Sequence, residues 1–94
     1  MTVIALLTID IHIPHAQSLK DKRMVVRSVK DRLRAKFNVA VAEVDHQELW
    51  QRSQLSVVTV GSDEAYLNQM LQHALEEAER TVPECPLRGN IEIV

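Results

Sequence analysis

Between Ser18 and Val44 the chain reads SLKDKRMVVRSVKDRLRAKFNVAVAEV, one basic helix running directly into a strand. Successive helical residues advance by about 100°. Val25, Val26, Val29, Leu33 and Phe37 therefore gather on one arc, and Lys20, Arg23, Arg27, Lys30 and Arg34 on the next. Core and charge are sorted onto adjacent faces of a single element. Ser18, with Asp21 three residues on, makes a capping-box-like start in which the hydroxyl accepts an orphan amide. Pro14 bars extension upstream. At the far end Lys36 sets a cation near the negative pole, and Asn38 is a turn residue before the β-branched run.

Ahead of this helix, Thr2 to Ile13 reads as a strand. Val3, Ala5, Leu7, Ile9, Ile11 and Ile13 share one face, with Thr8, Asp10 and His12 on the other. The apolar run is too short to span a membrane, is interrupted by charge, and lacks a basic leader region with a cleavage site. After the helix, Val39 to Val44 alternates as a second strand, Asp45 to Gln51 reads as a hairpin loop, and Ser53 to Val60 is a third strand ended by Gly61. Ser62 is the expected cap of a second helix, with Asp63 and Glu64 in its first turn. That helix buries Leu67, Met70, Leu71, Ala74, Leu75 and Ala78 and turns an acidic surface of Glu76, Glu77 and Glu79 to solvent. Pro83 and Pro86 then break the chain before a short last strand, Asn90 to Val94.

The order βαββαβ is that of a ferredoxin-like α+β domain occupying residues 1–94, with two helices on one face of a four-stranded antiparallel sheet. In the usual strand order 4-1-3-2, the first two strands run up and the last two down. The upper edge then collects His12, His15, the start of the basic helix, the loop Asp45–Trp50, Arg52 and Arg88. The lower edge holds both termini, Phe37, Asn38 and Gly61.

Charge is distributed unevenly. The total is −2, yet residues 18–36 hold eight Lys/Arg against two Asp, and the remainder carries −8. A nearly neutral chain is thus strongly dipolar, which bears on its partners more than the total does. One cysteine, Cys85, excludes an intramolecular disulfide and suits the cytoplasm.

Three segments carry a resemblance: SLKDKR at the helix start, RLRAKFNVAVAEV across the helix–strand join, and HQELWQR in the hairpin. Together they make the chain similar, over essentially its full length, to the uncharacterised bacterial YlxP-like family. The resemblance implies a ferredoxin-like fold and, through the genes that commonly adjoin those of the family, a setting of translation initiation and ribosome maturation. It carries over no catalytic residue. Asp45 stands where the family pattern leads one to expect glycine or another small turn residue, which puts the hairpin's backbone conformation in question.

Each candidate site has a plainer alternative. The basic stripe, with Lys20, Lys22, Arg23, Arg27, Lys30 and Arg34, suits the phosphates of nucleic acid. Alternatively it is a solvated face with local pairs such as Arg27–Asp31. Lys22 falls within the apolar arc, and either snorkels over the upper edge or pairs with Glu43 or another carboxylate. His46, Trp50 and Arg52 form a partner or ligand edge. Trp50 there stacks a base, anchors a partner or, as expected, folds down to plug the end of the core. His12, His15 and His46, with Asp45 and Glu48, offer metal donors without a dense ligand motif, so no metal is expected. No aromatic residue lies mid-strand, which argues against base reading on the sheet face. Two glycines cannot supply a phosphate-cradling loop, so nucleotide hydrolysis and dinucleotide chemistry are excluded.

These readings converge on a cytoplasmic, non-enzymatic protein without cofactor that binds structured RNA or a ribosomal surface. The alternative is a small oligomeric regulatory domain binding a ligand or protein at the upper edge or open sheet face. Homo-oligomerisation is expected, because Ile4 and Leu6, extended by Val39 and Val41, leave an apolar patch away from the helices.

Overall fold

The computed structural model describes residues 1–94. Its elements are β1 (Val3–His12), α1 (Leu19–Lys36), β2 (Ala40–Asp45), β3 (Arg52–Gly61), α2 (Glu64–Thr81) and β4 (Leu87–Ile93). The sheet runs β2-β3-β1-β4 with every neighbouring pair antiparallel, so the expected ferredoxin-like topology is the observed one.

Alternation in the central strands sets the two layers. Ala5, Leu7, Ile9 and Ile11 of β1, with Leu55 and Val57 of β3 and Val41 of β2, are buried under the helices. From the helices, α1 contributes Val26, Val29 and Leu33 and α2 contributes Leu67, Leu71, Ala74 and Ala78. The even-numbered residues of β1 and β3 face away from both helices, and this second sheet face is open.

Caps and ends follow from local chemistry. Ser18 Oγ accepts from Asp21 N–H at 3.0 Å, while Asp21 Oδ2 accepts from Gln17 N–H, so the expected start of α1 is formed. The second helix corrects the reading: Asp63, not Ser62, is its N-cap, accepting from Ala65 and Tyr66 N–H. A carboxylate is the stronger acceptor for those orphan amides. The last strand also begins three residues earlier than the alternation suggested. Gly89 marks where the pattern fails, because a Cβ there would lie 2.6 Å from Leu75 Cδ2. The strand carries no side chain at the point where α2 packs down on it.

On the open face the apolar patch differs from the one expected. Val41 is buried beneath α1, whereas Ile4, Val58 and Val60 are exposed and, with Val39 and Ala40, line a shallow hollow of about 440 Å³.

Candidate nucleic-acid interface

The cations of α1 have three different fates. Lys22 is completely buried. Its ammonium sits 2.8 Å from Glu43 Oε2 and donates to the carbonyls of His46 at 2.7 Å and Gln47 at 3.2 Å. Three donors meet three acceptors. Ser53 Oγ also donates to that Glu43 oxygen at 2.7 Å. Lys22 therefore leaves the set of phosphate-binding candidates, and the pairing with Glu43 is the outcome. It fastens the start of α1 to the β2–β3 hairpin.

On the flank toward α2, a single carboxylate gathers three cations. Glu77 accepts from Arg32 Nε at 2.6 Å, Lys36 Nζ at 2.9 Å and Arg80 Nη2 at 2.7 Å. Its residue is 4 % exposed, which corrects its expected place on the acidic surface. The Lys36 ammonium first, then Arg32 and Arg80, lower its carboxyl from 4.5 to about 2.

The remaining stripe flanks the outer edge of β2. Arg34 Nη2 donates to Val41 O at 2.8 Å, satisfying an edge-strand carbonyl, and its Nη1 lies 3.9 Å from Asp31. The pair expected between Arg27 and Asp31 is not formed, because Asp31 turns instead toward Arg34. Lys20, Arg23 and Arg27 are exposed and Lys30 half-buried. None of the four lies within 4.0 Å of a carboxylate, unlike Arg32, Lys36 and Lys22.

The upper edge assembles as the topology requires. The hairpin spans residues 46–51, and its one left-handed residue is His46 (φ 62°), not Asp45. Asp45 Oδ1 accepts from His46 N–H at 2.7 Å, a local bond that supports that turn. Gln51 Nε2 donates to Pro14 O and Ala16 O, both at 3.1 Å, and Gln51 O accepts from Ile13 N–H at 2.9 Å. The hairpin is thus braced on both sides. Trp50 is 52 % exposed at its end, so it does not plug the core. Trp50 and Arg52 line a hollow of about 510 Å³ together with His12. His46 lines neither this hollow nor its neighbour, its imidazole lying 3.8 Å from Asp45 instead.

Metal donors gather elsewhere than the sequence suggested. His12, His15 and His46 do not converge. His15, Glu84 and Cys85 place nitrogen, oxygen and sulfur atoms within 4.8 Å of one another, a donor set that suits zinc. Burial, and then the neighbouring Glu84 charge, push the Cys85 thiol up to about 11, so at neutral pH it is a protonated, inert thiol. Sequence reasoning missed this trio because His15 and Cys85 meet only when β4 folds beside β1.

Known proteins place the chain as follows. Residues 4–86 match DUF503, described as a protein of unknown function. The uncharacterised protein YlxP of Bacillus subtilis (strain 168) is 36% identical over 73 residues, covering 71% of this chain and 79% of that one. Among solved structures, a designed protein with a ferredoxin fold superposes with a TM-score of 0.56 at 13% identity, covering 98% of this chain and 85% of the other. Part of a dinuclear metal-binding M20-family peptidase, YXEP of Bacillus subtilis, superposes with a TM-score of 0.62 at 8% identity, covering 99% of this chain and 26% of that one. Both likenesses show the fold alone. No helix is long and apolar enough to cross a membrane.

Proposed function

The chain belongs to the DUF503 family of proteins of unknown function, and from that premise we propose a non-enzymatic binding protein for structured RNA or a ribosomal surface. The observation that carries the reading is the contrast within α1. Lys20, Arg23, Arg27 and Lys30 have no acidic partner, while Lys22 pairs with Glu43, and Arg32 and Lys36 pair with Glu77. Four unpaired cations on one rigid helix supply the sequence-independent attraction that phosphates require. The braced hairpin edge, with Trp50 and Arg52, adds contacts beside the helix start. Crosslinking in cells, followed by sequencing of attached RNA, tests this: enrichment of RNA that is lost when the four cations become glutamine supports it. Recovery of proteins only, unaffected by those changes, overturns it.

A second reading rests on the lower half of the open sheet face. Ile4, Val58 and Val60 are exposed there on adjacent strands, and apolar patches of this kind mark interfaces. A second copy would cover the patch and enlarge a small core. Sedimentation at tens of micromolar should show a dimer or larger species, which Val60→Lys should dissociate. Monomer alone removes this reading.

A further inference from the structure

The open face at the upper edge carries a second cleft that the stripe on α1 does not explain. Its volume is about 320 Å³, at the lower end of what small-ligand sites offer. Strand pairing puts the groups in place. His12 of β1 lies opposite Arg52 of β3, and Asp10 of β1 lies between Gln54 of β3 and Arg88 of β4. All of these are even-numbered positions, so they share the face turned from the helices. Arg52 and Arg88 are both exposed, and neither has a carboxylate within 4.0 Å. Asp10 does not neutralise them: its Oδ1 accepts from Gln54 Nε2 at 3.0 Å, and its other oxygen accepts nothing from the protein.

The adjoining hollow shares His12 and Arg52 with this cleft and adds Trp50. One connected surface therefore offers two guanidinium groups, the carboxylates of Asp10 and Glu48, and an exposed indole. A site for a bare anion would not keep a carboxylate beside its arginines. A nucleotide uses all three. Arginine clamps phosphate, a carboxylate accepts from ribose hydroxyls, and an indole face stacks a base.

We infer that this edge binds the phosphorylated end of an RNA strand, with the terminal phosphate between Arg52 and Arg88 and the terminal base on Trp50. A terminal monoester carries nearly two charges at neutral pH, against one for an internal diester, and so matches two unpaired arginines. The frame is stiff. Buried Lys22 ties the hairpin to α1, and Gln51 ties it to the segment after β1. The backbone that carries Trp50 and Arg52 is thus held in place before a ligand arrives. The inference rests on the RNA-binding reading and names the part of the RNA that the hairpin edge would take.

The sole tryptophan makes the test direct. Trp50 fluorescence is followed while the protein is titrated with a short oligoribonucleotide bearing a terminal phosphate, the same strand with hydroxyl ends, a nucleoside monophosphate and inorganic phosphate. The phosphorylated strand should quench Trp50 and bind at least about tenfold more tightly than the hydroxyl strand, the loss expected from removing charge-assisted hydrogen bonds. Arg52→Gln with Arg88→Gln should bring the two strands to equal affinity while leaving the attraction due to α1. A monophosphate that quenches as well as the strand supports the same site with a free nucleotide as its occupant. Equal affinity of the two strands for the unaltered protein, or a preference that survives the double substitution, overturns the inference. If neither strand binds, this inference fails together with the α1 reading, and quenching by the monophosphate alone would mark a free-nucleotide cleft in its place.

Discussion

The two flanks of α1 carry the same kinds of side chain and differ in what meets them. Toward α2, Arg32 and Lys36 converge with Arg80 on the nearly buried carboxylate of Glu77. Toward the outer edge of β2, Lys20, Arg23, Arg27 and Lys30 meet no carboxylate, and Arg34 meets a backbone carbonyl and one distant aspartate. A count of +6 over residues 18–36 therefore overstates the charge free to act on a partner. What matters is which cations the fold has already neutralised. Arg32 and Lys36 hold two helices together, Lys22 holds the hairpin, and four remain for anything outside the chain.

The largest effect should come from the most buried member of the paired set. Lys22→Met strands Glu43 beside the hairpin, and removing one partner of a buried pair costs about 3 kcal/mol. Denaturant unfolding would show this as a lower midpoint at unchanged slope. Adding Glu43→Leu should recover much of the loss, since the stranded charge is then gone.

A smaller and pH-dependent effect belongs to Glu77. Its folded carboxyl titrates at about 2 against an ordinary 4.5. The unfolded chain takes up that proton first as pH falls. The contribution is therefore complete above pH 4.5 and is lost progressively as pH falls toward 2. Thermal melts across this range should show the decline, and Glu77→Gln should start lower at neutral pH and flatten it. Unaltered acid sensitivity in that variant would mean that the three cations do not depend on Glu77.

The smallest effect should come from Asp31→Asn, which removes the one acid facing the stripe. Stability should stay within about 0.5 kcal/mol, the scale of an exposed helical pair. RNA binding should tighten slightly as Arg34 is released. Weaker binding would show that Asp31 does more than shade one arginine.

Much of this arrangement is legible in the residues themselves. Alternation along β1 names its buried face, Ser18 and Asp21 name the start of α1, and the element order leads to the observed strand order. What was not legible depends on contacts between distant segments. Glu77 borders the apolar stripe of α2, and helical spacing cannot say which border meets α1. Only the packing of the two helices turns that border into a buried acidic centre. Lys22 within an apolar arc was a signal, but its partner depended on where the hairpin came to lie. Trp50 was misplaced because an indole at the end of a small core is equally suited to covering it or projecting from it. Here the hairpin, braced by Lys22 and Gln51, holds it outward. The early start of β4 was hidden by Gly89, whose missing side chain makes room for Leu75.

The contrast between the two flanks is tested most directly by the salt dependence of RNA binding in two variants. One carries Lys20→Gln, Arg23→Gln, Arg27→Gln and Lys30→Gln, and the other Arg32→Gln and Lys36→Gln, both measured at a temperature where each is folded. All four charges are unpaired and three of them exposed, and such charges contribute little to stability, so the first should melt close to the unaltered protein. Each lost phosphate contact removes about 0.7 to 0.9 from the slope of log affinity against log salt, so the first variant should bind weakly with a slope shallower by roughly 3. The second should keep the unaltered slope despite its lower stability. A stripe variant with the unaltered affinity and slope, or an equal loss in the second variant, would contradict the account.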